Sequence, residues 1–158
     1  MQDMKPEDLA SDVYQQASLT FYDGSTRQIL YTDIETRFPE GCLIVSRTDL
    51  DGFITHVNKS FVLMSGFSET ELIGQPHYIL RHPFMPPAAF AGLWETIQKK
   101  QKWHGYVKNL RKDGGYYWVY ATVIPNIRDG KIVSYTSVRR KPSAKKVAEC
   151  IELYPTLF

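Results

Sequence analysis

One carboxamide and several aromatic rings are spaced so that a hairpin would set them on a common wall. Trp103-His104-Gly105-Tyr106-Val107-Lys108-Asn109 runs towards a turn at Lys112-Asp113-Gly114-Gly115, and Tyr116-Tyr117-Trp118-Val119-Tyr120-Ala121-Thr122-Val123 runs back. Asp-Gly-Gly is strong turn chemistry, because glycine supplies the positive φ of a tight hairpin. Aromatic and β-branched flanks favour strands. Side chains alternate along a strand, so Trp103, Gly105, Val107 and Asn109 share one face. That face is apolar and ends in an amide. A buried amide needs hydrogen-bond partners, supplied either by the chain's own backbone or by a ligand edge. On the returning strand Tyr117, Val119, Ala121 and Val123 form a compact apolar set, opposite an aromatic set of Tyr116, Trp118 and Tyr120. No nucleophile–base set, phosphate-binding glycine loop or pair of catalytic carboxylates is present, so a non-enzymatic role is expected.

The rest of the chain must hold this hairpin in place. Residues 5–19 show Leu9, Val13 and Ala17 at helical spacing behind Pro6, Glu7 and Asp8, and predict a short helix. Tyr22-Asp23-Gly24-Ser25 is a turn, and Arg27 to Tyr31 a short strand. Pro39 and Gly41 break the pattern, which places a boundary near residue 40. Cys42 to Thr48 and Phe53 to Val57 read as two strands around the turn Asp49-Leu50-Asp51-Gly52. Asn58 suits the cap of a helix ended by Gly66, and Ser68 with Glu71 forms a capping-box pattern. Prolines 76, 83, 86 and 87 limit the next stretch to turns until Pro87 opens a helix to about Lys100, with Phe90, Leu93, Trp94 and Ile97 on one face. Ile132 to Arg139 supplies a fifth strand, and Ser143 begins a C-terminal helix. The expected class is α+β: a five-stranded antiparallel sheet with short helices over one face. Three segments follow: an extension over 1–40, a core over 41–141 and an exit helix over 142–158.

With 158 residues, 43% of them hydrophobic and 23% charged, the chain can bury a core without staples. A net charge of +2 leaves no nucleic-acid footprint. Arg139-Arg140-Lys141 and Lys145-Lys146 read as solvated charges. Cys42 and Cys150 have no metal-ligand spacing and point to a reducing compartment. No apolar run approaches the roughly 20 residues of a membrane span, and the N-terminus carries no signal-peptide core. A cytoplasmic address is expected.

The order of elements, together with Thr55-His56-Val57-Asn58, Gly74-Gln75-Pro76-His77, Arg81-His82-Pro83, Met85-Pro86, Leu93-Trp94, Trp103-His104-Gly105, Val107-Lys108-Asn109, Arg111-Lys112-Asp113-Gly114 and Ser137-Val138-Arg139, resembles a PAS domain. The match is close to the flavin-binding PAS domains of bacterial aerotaxis receptors and covers roughly residues 41–141. That resemblance implies non-covalently bound FAD acting as a redox or oxygen sensor for energy taxis. It puts Asn109 on the pyrimidine edge of the flavin ring, with Trp103 as a ring contact and Trp94 nearby. Arg81 and His82 match positions that retain flavin, and Asn58 and Ser137 are further pocket positions. It also implies a chemoreceptor-type signalling partner.

The chain departs from the family pattern at two points. Phe84 stands where the family usually has an acid, and Tyr78 where Asn or Asp is common. No cysteine lies between Gly74 and Pro86, so the photoadduct chemistry of light-sensing relatives is not expected. Two alternatives stay open: a cofactor-free interaction module, which Phe84 favours, and a haem-binding gas sensor using His77 or His82. The outer aromatic set needs cover. The predicted helix over 5–19 is expected to lie on it and to contribute to a homodimer.

Overall fold

The computed structural model describes residues 1–158. Its main sheet has five strands in the order β4-β3-β7-β6-β5, every neighbour antiparallel. These strands are β3 (Ile44–Thr48), β4 (Ile54–Val57), β5 (Trp103–Leu110), β6 (Tyr116–Arg128) and β7 (Lys131–Arg140). Between β4 and β5 lie α1 (Lys59–Ser65), α2 (Glu69–Leu72), a 3-10 turn over His77–Leu80 and α3 (Pro87–Gln98). This is the expected α+β architecture. No helix is long and apolar enough to cross a membrane.

The local signals act as anticipated where their chemistry is complete. Asn58 caps α1 by accepting from Phe61 N at 3.1 Å, and Gly66 ends it in the left-handed conformation. Ser68 and Glu71 form both bonds of a capping box on α2. The main core joins Ile44 and Ile54 of the sheet to Phe61, Met64 and Leu72 of the helices and to Tyr117 and Val119 of β6. Phe61 is fully buried there, which is worth about 1.5–3 kcal/mol by transfer of its apolar surface.

The N-terminal segment corrects the expected helix over 5–19. Pro6–Asp8 makes one 3-10 turn, and β1 (Gln15–Thr20) then pairs antiparallel with β2 (Thr26–Tyr31) as a separate two-stranded sheet. The turn chemistry of Asp23-Gly24-Ser25 decides this: Asp23 Oδ1 accepts from both Ser25 N and Ser25 Oγ, at 2.9 and 2.6 Å. A closed turn offers β1 a partner strand. Three apolar residues at helical spacing offered only a weak stripe, and Val13 in fact points into solvent.

The hairpin also lies on the other side of the molecule from that expected. Arg27 is buried and donates to the Ile79 carbonyl at 2.8 Å, on the helical side of the sheet. Phe21 stacks on Tyr78 with centroids 4.1 Å apart. Residues 32–36 then strap the β5–β6 turn, with Thr32 N donating to Gly114 O and Thr36 N to Tyr116 O, both at 2.8 Å. The outer aromatic face is covered instead by α4 (Ala144–Leu153) and the 3-10 turn after it. Tyr154 packs on Trp118 at 6.0 Å and donates to the Tyr106 carbonyl at 2.5 Å.

Candidate functional site

Between the inner face of the sheet and α3 lies a cavity of about 1080 Å³, counting its open mouth. Its inner wall comes from β5, β6 and β7: Trp103, Val107 and Asn109, then Val119, Ala121 and Val123, then Tyr135, Ser137 and Arg139. Period-two alternation selects these side chains. The 77–81 segment closes one side with His77, Tyr78 and Arg81, and α3 closes another with Phe90, Leu93 and Trp94. Apolar walls with a few convergent polar groups are the usual composition of a small-molecule site.

Two glycines allow the indoles to lie where they do. A Cβ at Gly105 would collide with the Trp103 ring, which folds over that bare stretch of β5. A Cβ at Gly52 would come within 3.3 Å of the Trp94 ring, which meets Tyr135 edge-on at 5.8 Å. The tryptophans thus lie against bare glycine backbone on one side and pack against the cluster of Ile97, Val123 and Tyr135.

Asn109 is 5% exposed and lines the cavity. Its backbone pairs with Arg81, so the turn segment is laced to the edge strand at this point. The near neighbour of its carboxamide is the Tyr117 hydroxyl, whose pKa burial pushes up to about 12. One hydroxyl leaves most of an amide's two donors and one acceptor oxygen unused.

Arg139 is the strongest electrostatic feature of the cavity. It is 2% exposed and faces no carboxylate. Its Nη1 donates to His77 Nε2 at 2.9 Å and its Nη2 to Ser46 Oγ at 2.8 Å, while its Nε has no partner. The guanidinium carbon lies 4.5 Å from the Phe61 ring centroid. Burial lowers its pKa to about 10, against a smaller opposing effect of Tyr117. Because His77 Nε2 accepts, the proton of that imidazole sits on Nδ1. Burial, then the Arg139 charge, drops the His77 pKa to about 3. Arg81 is a second cation without an acidic partner. It lies 5.1 Å from the Phe90 ring centroid, and its Nε is likewise unbonded.

Five of the seven expected site residues therefore meet at one cavity: Asn109, Trp103, Arg81, Trp94 and Ser137. Two do not. Asn58 is a structural cap, whose Oδ1 also receives Val45 N at 3.2 Å and whose Nδ2 donates to Leu43 O at 2.9 Å. Asn58→Ala should cost about 1–2 kcal/mol in urea unfolding and leave the bound-ligand absorbance per mole of folded protein unchanged. His82 is fully buried, but behind the cavity wall. Its Nδ1 accepts from Phe84 N at 3.1 Å, its Nε2 is unpartnered, and Tyr31 and Phe84 meet its ring edge-on. Neither histidine suits haem: His82 does not reach the cavity, and His77 Nε2 is engaged with Arg139. Among all residues, no group of three side chains is arranged to hold a metal ion.

Arg139 corrects the reading of Arg139-Arg140-Lys141 as a solvated triplet. The signal was available, since Ser137 on the inner face puts Arg139 there two residues later. The departures at positions 78 and 84 also find an explanation. Tyr78 anchors the β1–β2 turn by donating to Asp23 Oδ2 at 2.7 Å, and Phe84 packs edge-on against Tyr31 of β2. Phe84 lies outside the cavity, so it does not fill the space that a ligand would need.

Known proteins share this fold. The PAS fold family matches residues 54–139. The aerotaxis receptor of Escherichia coli (strain K12) is 44% identical over 126 residues, which is 80% of this chain and 25% of the receptor. The nitrogen fixation regulatory protein of Klebsiella pneumoniae is 27% identical over 115 residues, 72% of this chain and 23% of that protein. The chain thus spans about a quarter of the length of these curated relatives. A solved PAS domain from Colwellia psychrerythraea superposes with a TM-score of 0.58 at 27% identity, over 63% of this chain and 86% of that one. The light state of the Aureochrome1 LOV photoreceptor superposes at 0.63 with 24% identity, over 69% and 88%, a likeness of fold. With a family match over more than half its length on a sheet of the expected order, this chain belongs to the PAS fold family.

Proposed function

We propose that this PAS domain binds FAD without a covalent bond and serves as the redox- or oxygen-sensing module of an aerotaxis-type signalling system. One observation carries the reading: an apolar slot holds a carboxamide with unused capacity and two guanidinium groups that have no carboxylate. A buried cation without a counter-ion is costly to a folded chain. A planar ligand with a polar edge at one end and phosphates at the other would satisfy all three groups, so the residues fit a dinucleotide flavin. Asn109 would hold the ring edge, Trp103 and Trp94 would pack the ring, and Arg81 would meet the phosphates with its fork-shaped donor set. When bound, a flavin supplies reversible electron uptake with a change of charge at its ring.

The protein's part is to hold charge and transmit it. Arg139 is positioned to attract negative charge that develops in the cavity. Turning its donors inward would release His77 and Ser46, which bind it from the neighbouring segment and strand. Arg139 is also one residue from the end of β7, and Lys141-Pro142-Ser143 leads directly into α4. That helix covers Trp118, so a shift of β7 would reach the outer face where a chemoreceptor-type signalling domain, or a second copy in a homodimer, would read it. A cytoplasmic location goes with this reading.

The freshly purified protein should show flavin absorption bands, released intact as FAD on denaturation. Asn109→Ala and Trp103→Ala should each weaken flavin binding about ten- to a hundredfold, the worth of lost hydrogen bonds or a large aromatic contact. A colourless protein that takes up no FAD, or full retention in both variants, would exclude the proposed site.

A further inference from the structure

The family match begins at residue 54, yet the segment before residue 40 puts two aromatic side chains on the cavity. We propose that the tip of the β1–β2 hairpin forms the outer subsite of the flavin cavity, with Tyr22 stacking on the adenine of the dinucleotide. This rests on the flavin reading above.

Phe21 and Tyr22 differ in what they offer. Phe21 is 4% exposed and stacked on Tyr78, so its ring is already used. Tyr22 lines the mouth but is 74% exposed, and it meets Tyr78 only edge-on, at 5.9 Å and 87°. With that exposure and a single edge-to-face neighbour, a face of its ring is open to a planar group emerging from the cavity. An exposed ring on a mobile loop would offer little, because ordering it would cost entropy. This tip is held on both sides. Tyr78 Oη donates to Asp23 Oδ2 at 2.7 Å, and the same carboxylate closes the turn through Ser25. Below it, Arg27 fastens β2 to the Ile79 carbonyl and to the Gln2 carbonyl, both at 2.8 Å.

The polar groups at the mouth match a nucleoside. Arg81 lines the cavity and suits phosphate anions. Asp51, in the β3–β4 turn, lines the same mouth and is an acceptor for an exocyclic amine or a ribose hydroxyl. Aromatic stacking then supplies the contact that every base can make through its face. Flavins lacking the second ring cannot use it, so Tyr22 is a specificity-determining residue for the dinucleotide.

Flavin-free protein should be titrated with FAD, FMN and riboflavin, following flavin fluorescence. Tyr22→Ala should weaken FAD about tenfold or more, the worth of one stacked base, while FMN and riboflavin change less than about twofold. Tyr22→Phe, which keeps the ring, should bind FAD like the unaltered protein. Equal losses for all three flavins, or no loss of FAD, would overturn the subsite and leave the flavin reading standing. If the unaltered protein binds none of the three, the flavin reading itself fails. Tyr22 is exposed, so thermal unfolding of the flavin-free variants should match that of the parent and serves as the folding control.

Discussion

Arg139→Met should make the flavin-free protein more stable and the flavin-bound protein harder to reduce. Burial lowers the Arg139 pKa from 12.5 to about 10, with no carboxylate to offset it. That shift corresponds to about 3 kcal/mol against the charged form at neutral pH. Methionine fills a similar volume without the charge. The substitution strands two neutral acceptors, His77 Nε2 and Ser46 Oγ, at about 1 kcal/mol each. The charge penalty outweighs that loss, so a net gain of about 1–2 kcal/mol is expected, in line with the replacement of other buried ionic groups. Thermal unfolding of the flavin-free protein should rise by about 2–8 °C for a chain of this size.

Function should move the other way. Removing a positive charge beside the ring disfavours electron uptake, and a tenfold shift in that equilibrium is about 30 mV for a two-electron couple. A drop in reduction potential of that order or more, measured by spectroelectrochemistry, is expected in the variant. Stability given up for function in this way is common at binding sites. A lower unfolding temperature together with an unchanged potential would show that Arg139 is a structural residue and contributes nothing to redox tuning.

Acid should unfold this protein from a higher pH than its carboxylates alone would dictate. His77 and His82 are both fully or nearly fully buried, and burial above all holds each pKa down to about 3, with Arg139 and Lys108 respectively adding to the effect. Unfolded, each would titrate near 6.5. Between those values the unfolded chain binds more protons than the folded one, so stability falls as pH falls. The contribution is complete above pH 6.5 and is lost progressively towards pH 3. Each histidine adds a slope of about 1.4 kcal/mol per pH unit, or about 2.7 for the two together. Because an unfolded imidazole is only half protonated at pH 6.5, the full slope is reached below about pH 6, and the loss from pH 7.5 to 5 is about 4 kcal/mol for the two, a large part of the 5–15 kcal/mol of a typical domain.

Glu40 and Glu71, whose pKa values are lowered by hydrogen bonds to Lys141 and Lys112, act only at more acidic pH. The window above pH 5 therefore reports the histidines. Urea unfolding at several pH values between 7.5 and 5 should show the combined slope. His77→Gln and His82→Gln should each remove about half of it, and the double variant nearly all. A parent slope of only one histidine's share would mean that one imidazole is solvated in the folded state, and no slope that both are.

Much of the site was legible in the chain because strand alternation is a local rule. Trp103 and Asn109 fall on the cavity face by counting residues in twos, Ser137 was implied by the family resemblance, and a count of two from Ser137 reaches Arg139. Arg139 was misread because three consecutive basic residues look like a solvated run, whereas a strand sends the first and second to opposite faces. Asn58 and His82 illustrate the opposite limit. Their motif positions were clear, but whether a side chain faces a cavity or a backbone depends on the packing of other segments. Asn58 spends its amide on α1, Val45 and Leu43, and His82 is enclosed by Tyr31 of the distant N-terminal hairpin.

The sequence by itself determined the elements whose signals close within a few residues: the capped helices α1 and α2, the Gly-rich turns, and the alternation that builds the sheet and its inner face. Only the tertiary structure decided where the two terminal segments go. The N-terminal segment became a hairpin on the cavity side and the C-terminal helix took the outer face. The physical reason is that those choices depend on contacts such as Arg27 with Ile79 and Tyr154 with Tyr106, between residues far apart in the chain, which no local pattern encodes.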